Sequence, residues 1–142
     1  MINFDRPYQA TSIRQFWQRW HVSLTTWFRD YVYVPLGGNR SSAAVWARNI
    51  AVVFVLSGIW HGANWTFLVW GLIHAFAFFV SELPGLMRGG VRRDAPGWRL
   101  PAPLRWFLTF HVVVLAWVFF RASSVEAAWQ VVGRIARDVF AV

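Results

Sequence analysis

Asn49-Ile50-Ala51-Val52-Val53-Phe54-Val55-Leu56-Ser57-Gly58-Ile59-Trp60-His61-Gly62-Ala63-Asn64-Trp65-Thr66-Phe67-Leu68-Val69-Trp70-Gly71-Leu72-Ile73-His74-Ala75-Phe76-Ala77-Phe78-Phe79-Val80-Ser81 decides the fold class. These 33 residues contain no Asp, Glu, Lys or Arg. A mostly apolar run longer than about 18 residues reads as membrane-embedded. As one helix it would reach about 50 Å at 1.5 Å per residue, against a hydrocarbon core about 30 Å thick. One straight crossing is too long. The run is therefore expected to break between Ser57-Gly58 and Gly62, which makes 43–82 a broken transmembrane hairpin. Irregular backbone at membrane depth is tolerated where it lines a cavity and not where it faces lipid. The break should border a pocket.

His61 stands in that break, between Trp60 and the Gly62-Ala63-Asn64-Trp65 stretch. An ionisable side chain inside a membrane span is costly and by default a functional candidate. Gly58 and Gly62 carry no Cβ, so backbone or ligand can come close there. The plain alternative is a structural histidine between two tryptophans.

The rest of the chain agrees with a membrane protein. Of 142 residues, 57% are hydrophobic, 19% aromatic and only 14% charged, where a soluble domain has about 25% charged residues. There is no cysteine, so disulfides and thiol nucleophiles are excluded. All of the basic residues are arginines, and the net charge is +8. They alternate with bilayer-length apolar runs, which points to cytoplasmic loops and anionic membrane lipid. No nucleic-acid-binding motif accompanies the charge. Met1 to Tyr8 lacks the apolar core of a signal peptide.

Thr11 to Tyr31 places Ile13, Phe16, Trp17, Trp20, Leu24, Trp27, Phe28 and Tyr31 on one helical face. The 11–31 segment is expected as one aromatic helix, interfacial or re-entrant. His21 lies on its apolar side. Val32 to Arg40, with Pro35 and Gly37-Gly38, reads as an extended piece ending in a turn. The 83–103 segment is a basic loop, expected in the cytoplasm. Leu104 to Phe120 is a further span, and Ser123-Ser124-Val125-Glu126 has capping-box spacing ahead of an amphipathic helix over 123–142. The fold expected is all-α, a helical bundle with about three transmembrane helices and the aromatic 11–31 element.

The chemistry these residues permit is narrow. Ser57 lies one turn before His61, but no carboxylate lies between Asp30 and Glu82 to orient a Ser-His pair. His21, His61, His74 and His111 show no metal-ligand spacing. A lone histidine acting as general base remains, which suits acyl transfer from a thioester to a hydroxyl. Asn64 or the amides near Gly62 would serve an oxyanion.

Several motifs stand in order. They are Asn3-Phe4-Asp5-Arg6-Pro7-Tyr8, Phe16-Trp17-Gln18-Arg19-Trp20-His21-Val22-Ser23-Leu24, Trp27-Phe28-Arg29-Asp30-Tyr31 through Pro35-Leu36-Gly37-Gly38-Asn39-Arg40, and Gly58-Ile59-Trp60-His61-Gly62-Ala63. With Trp70-Gly71-Leu72-Ile73-His74 and Thr109 to Arg121, they resemble the membrane-bound O-acyltransferase family. The likeness is to the bacterial branch of alginate O-acetylation and teichoic-acid D-alanylation.

The resemblance implies that 1–142 is the C-terminal part of one polytopic acyltransferase domain in the bacterial inner membrane. It implies His61 as the catalytic histidine and His21 as a second one in the same funnel. Trp60, Gly62, Asn64, Ser57, Arg29 and Asp30 are candidates for substrate or oxyanion binding. No cofactor is expected, and acetyl-CoA or an acyl-carrier thioester would be a co-substrate. Expected partners are upstream transmembrane helices and periplasmic polysaccharide-modification proteins. The competing classes are a non-catalytic membrane scaffold or truncated fragment that keeps the histidines without activity, and a transporter-like channel lined by His61 and arginines.

Overall fold

A computed structural model describes residues 2–39, 42–87 and 98–140, and the described residues form helices and turns with no strand. Six α-helices follow in order: α1 (Ile13–Arg19), α2 (Val22–Phe28), α3 (Ala43–His61), α4 (Trp65–Met87), α5 (Ala102–Arg121) and α6 (Val125–Phe140). Three of them, α3, α4 and α5, are long and apolar enough to cross a membrane. The protein is an all-α membrane protein.

The uncharged run does form a hairpin, but the bend lies later than its sequence suggests. α3 continues through Ser57 and Gly58, and the chain turns over 62–64. Gly58 and Gly71 have a different task. A Cβ on Gly58 would lie 2.5 Å from the Phe67 carbonyl oxygen, and one on Gly71 would collide with the Phe54 carbonyl. The two glycines therefore let α3 and α4 pack backbone against backbone, as small residues do between membrane helices. Gly62 makes the turn itself, with φ of 150°, a conformation open to glycine. Asn64 opens α4, its side-chain oxygen accepting from the Thr66 N–H at 3.1 Å.

The aromatic segment departs most from its periodicity. It is not one helix over 11–31. α1 stops at Trp20, His21 takes a left-handed conformation (φ 43°), and α2 starts anew. The cause lies elsewhere in the chain. The Val22 N–H donates to the Asn3 carbonyl at 3.0 Å, the Ser23 N–H to the Asn3 side-chain oxygen at 2.9 Å, and the Asp5 N–H to the Arg19 carbonyl at 3.0 Å. The N-terminal strap thus satisfies backbone groups that an unbroken helix would have satisfied internally.

The result is a helical hairpin with its apex at Trp20-His21. On the rising arm, Arg14 pairs with Glu82 at 2.7 Å near the start of the 83–103 segment. Phe16 and Trp17 meet His74 midway along α4, with ring centroids 6.1 and 4.9 Å away. Trp20 reaches Trp117 of α5 at 5.0 Å. The descending arm, α2, runs into a π-helical turn over Arg29–Tyr33, where the Val34 N–H donates to the Arg29 carbonyl.

The stretch after it is helical and turned rather than extended. The wide turn ends just before Pro35, so the donor that proline lacks is not missed. Positive φ at Gly37 and Gly38 ends it. The Asn49 amide, fully buried on α3, donates to the Leu36 carbonyl at 2.9 Å and fixes this arm.

Beyond the basic segment, α4 extends to Met87, further than the loop boundary expected at residue 83. Residues 88–97 of that loop lie outside the described residues. α5 packs along α4, burying Ala116 and Phe119 with Trp70. α6 begins with Ser124, not Ser123, as its cap: the Ser124 hydroxyl accepts from the Ala127 N–H at 3.1 Å. Only the first turns of α6 pack inward. Ala128 is fully buried, whereas Trp129 and Val139 are about 60% exposed.

Candidate functional site

His61 is the last residue of α3, held where the hairpin bends. Its half-buried ring is boxed by aromatic neighbours from three elements. Trp60 packs edge-on at 4.9 Å, Phe120 of α5 at 4.9 Å, and Trp70 of α4 perpendicular at 5.3 Å, with Phe67 at 6.0 Å. This box fixes the plane of the imidazole, since a T-shaped aromatic contact sets orientation through the ring quadrupole. No carboxylate orients the ring among the described residues. Trp70, Phe67 and Phe120 are invisible as site residues in the sequence. They look like ordinary apolar span positions, and only the packing of three helices brings them to His61.

His21 stands at the apex of the hairpin made by α1 and α2. Its Nδ1 is buried with no hydrogen-bond partner, and its ring lies 5.9 Å from Phe4. A chain of aromatic contacts joins the two histidines. Phe120 touches His61, Trp117 lies 5.3 Å from Phe120, and Trp20, the residue before His21, lies 5.0 Å from Trp117. That chain of contacts links His21 to His61 across a separation of 40 positions in the sequence.

The other candidates divide. Trp60 and Gly62 are at the bend beside His61. Asn64 is there too, but it serves as a strap. Its side-chain oxygen caps α4, and its amide donates to the Ser123 carbonyl at 3.3 Å, tying the bend to the α5–α6 turn. Ser57 is buried one turn below His61. Arg29 and Asp30 lie on the descending arm of the α1–α2 hairpin, where they pair with each other at 2.7 Å on the surface. The hydrogen bond from Arg29 holds the Asp30 carboxyl below its usual range and pushes the guanidinium up. They form a local ion pair, apart from the two histidines.

The remaining histidines are structural or peripheral. His111 Nδ1 faces the Phe107 carbonyl at 2.8 Å on the exposed face of α5. His74 is fully buried, stacked between Phe16 and Phe54 and set edge-on to Trp17 and Trp70. No three His, Asp or Glu residues cluster to hold a metal among the described residues.

A family model described as MBOAT, the membrane-bound O-acyltransferase family, matches residues 1–125. The chain belongs to the membrane-bound O-acyltransferase family. Its relatives include the probable alginate O-acetylase AlgI of Pseudomonas aeruginosa, 44% identical over 130 residues, covering 92% of this chain and 24% of that protein. The peptidoglycan O-acetyltransferase of Helicobacter pylori is 43% identical over 130 residues, with the same coverage of 92% and 24%. A teichoic acid D-alanyltransferase of Streptococcus thermophilus is 29% identical over 138 residues, covering 84% of this chain and 32% of that protein. The chain thus spans about a quarter of the length of the two O-acetylation relatives it matches. Both histidines, the box around His61 and the α1–α2 hairpin lie inside the matched 1–125 region.

Proposed function

We propose that this chain carries the catalytic end of an O-acyltransferase that moves an acyl group, specifically acetyl, from a thioester to a hydroxyl of an exported polysaccharide such as alginate. The observation that supports the reading is the aromatic chain that links His61, at the α3–α4 bend, with His21, at the α1–α2 apex. His61 removes the proton from the acceptor hydroxyl, and the resulting oxygen nucleophile attacks the thioester carbonyl. The tetrahedral oxyanion collapses, the C–S bond breaks, and the leaving thiolate takes the proton back from the imidazolium. His21, with its unpartnered Nδ1, positions donor or acceptor beside that oxygen. The Gly62 N–H already donates to the Ile59 carbonyl at 3.1 Å, so the Ala63 and Asn64 amides of the bend are the ones proposed to face the oxyanion.

In this reading the protein sits in the bacterial inner membrane. The donor, acetyl-CoA or an acyl-carrier thioester, approaches from the cytoplasm, and the acceptor is met on the periplasmic side. No bound cofactor is required, because proton transfer and oxyanion stabilisation suffice for the step. Upstream helices of the kind the relatives' greater length provides would close the funnel around the aromatic box. Periplasmic polysaccharide-modification proteins would be its working partners.

The test is His61→Ala in the full-length protein. Acyl transfer should fall by about 10²–10⁴, the worth of base catalysis, while membrane insertion persists. Activity within about tenfold of the unmodified protein would remove His61 from the role.

A further inference from the structure

A groove of about 640 Å³ opens between α4 and α5, away from the His61 box. Its walls are apolar, with Ile73 and Phe76 on α4 facing Leu108 and Val112 on α5. Ligand sites commonly have this volume and this composition. Along α5 the lining runs from Arg105 to Leu115, about 15 Å at the helical rise, or half of a hydrocarbon core about 30 Å thick. That is the depth of one leaflet.

One end differs in chemistry. Arg105 lies at the mouth, in the first turns of α5 beside the basic 83–103 segment. Its Nε is buried without a hydrogen-bond partner. Among the described residues no carboxylate lies within ion-pairing distance of it. Trp98 borders the same mouth, its indole N–H donating to the Val80 carbonyl at 3.1 Å. A tryptophan and an arginine over a leaflet-deep apolar slot match the parts of an amphiphile, with headgroup at the mouth and chain in the slot.

We propose that this groove is a binding site for an anionic phospholipid, with one acyl chain between α4 and α5 and its phosphate paired to Arg105. The charge complementarity is specific. The guanidinium offers terminal donors suited to phosphate oxygens, and no carboxylate among the described residues pairs with it. The bilayer supplies such a lipid at the depth of the groove. The site is independent of the acyl-transfer reading, since none of the groove's lining residues belongs to the His61 box.

The experiment is native mass spectrometry of the full-length protein released from nanodiscs made with equal phosphatidylglycerol and phosphatidylcholine. One phosphatidylglycerol should remain bound, preferred about fivefold, as expected for one arginine near a membrane anion. Arg105→Gln should abolish the preference and Arg105→Lys should restore most of it. Ala77→Trp, which fills the slot and leaves the charge, should reduce retention of both lipids. Equal retention of the two lipids by the unmodified protein, or an unchanged preference in Arg105→Gln, would overturn the site. A photoreactive residue at Ala77 that cross-links another segment of protein instead of lipid would overturn it as well.

Discussion

His61 and His74 are both histidines of the same uncharged run, yet their surroundings separate them. His61 is gripped edge-on by aromatics, and its nitrogens make no hydrogen bond among the described residues, which suits a base. His74 is face-stacked between Phe16 and Phe54, and its edges meet the faces of Trp17 and Trp70. Both of its nitrogens are buried without a conventional partner. N–H···π contacts of this kind are weak, so the ring is held mainly by packing. His74→Phe keeps the stacking and removes the orphaned polar atoms, and it should leave melting in detergent unchanged or slightly raised. His74→Ala empties a fully packed site and should cost about 3 kcal/mol. A large loss of stability in His74→Phe would show that the nitrogens are bonded after all. Asn64 teaches a related point. Its polarity in an apolar run invites a catalytic reading, but its two hydrogen bonds fasten the bend. Asn64→Ala should lower stability by about 1 kcal/mol as a lost helix cap, with any loss of activity following from the displaced bend.

At the level of elements, the close α3–α4 approach and the α1–α2 hairpin are the two features on which the site depends. Gly58→Ala would push a methyl against the Phe67 carbonyl, which is backbone and cannot rotate away. The helices must separate, at a cost of about 1–3 kcal/mol, typical of overpacking. Thermal unfolding in micelles would read it, with Gly133→Ala, where a Cβ meets open space, as the control. The hairpin has its own fastener in Arg14 and Glu82, whose side chains are 25% and 14% exposed. Arg14→Gln leaves Glu82 partly buried and unpaired and should cost about 2 kcal/mol, less than for a fully buried pair. The 11–31 periodicity holds on the first arm, which buries Ile13 and Phe16, whereas on the second only Phe28 is buried and Trp27 and Tyr31 are 49% and 69% exposed. The break was hidden because it depends on Asn3 and Asp5, which are remote from the helix pattern, and because hydrogen bonds from a strap leave no periodic trace.

For the whole molecule, the arginine distribution predicts orientation. The basic ends of α4 and α5 should face the cytoplasm, and the Gly62 bend with the α5–α6 turn should face outward. The chain has no cysteine, so single labels are clean. Ala63→Cys should react with an impermeant maleimide in intact cells, and Arg99→Cys only after permeabilisation. The reverse pattern would invert the topology and, with it, the side on which an acceptor meets His61. In the same frame α6 lies at the outer surface. Its exposed Trp129 and Val139 form a stripe that the described residues leave uncovered.

The amino-acid sequence alone determined the membrane class, the number of spans and the presence of a hairpin around His61. Those follow from run length and charge, which act through the bilayer whatever the tertiary contacts are. Its ordered motifs also determined the family. Tertiary structure decided where the hairpin turns, because Gly58 proved to be a contact between helices and Gly62 the bend. It decided that residues 11–31 double back, because the strap from Asn3 supplies hydrogen bonds that no local pattern encodes. It also decided which side chains face His61. Trp70 and Phe120 are apolar span residues like many others, and they become its walls only when α4 and α5 pack beside α3. Periodicity reports which face of a helix is buried, and the identity of what lies against that face depends on contacts distant in the chain.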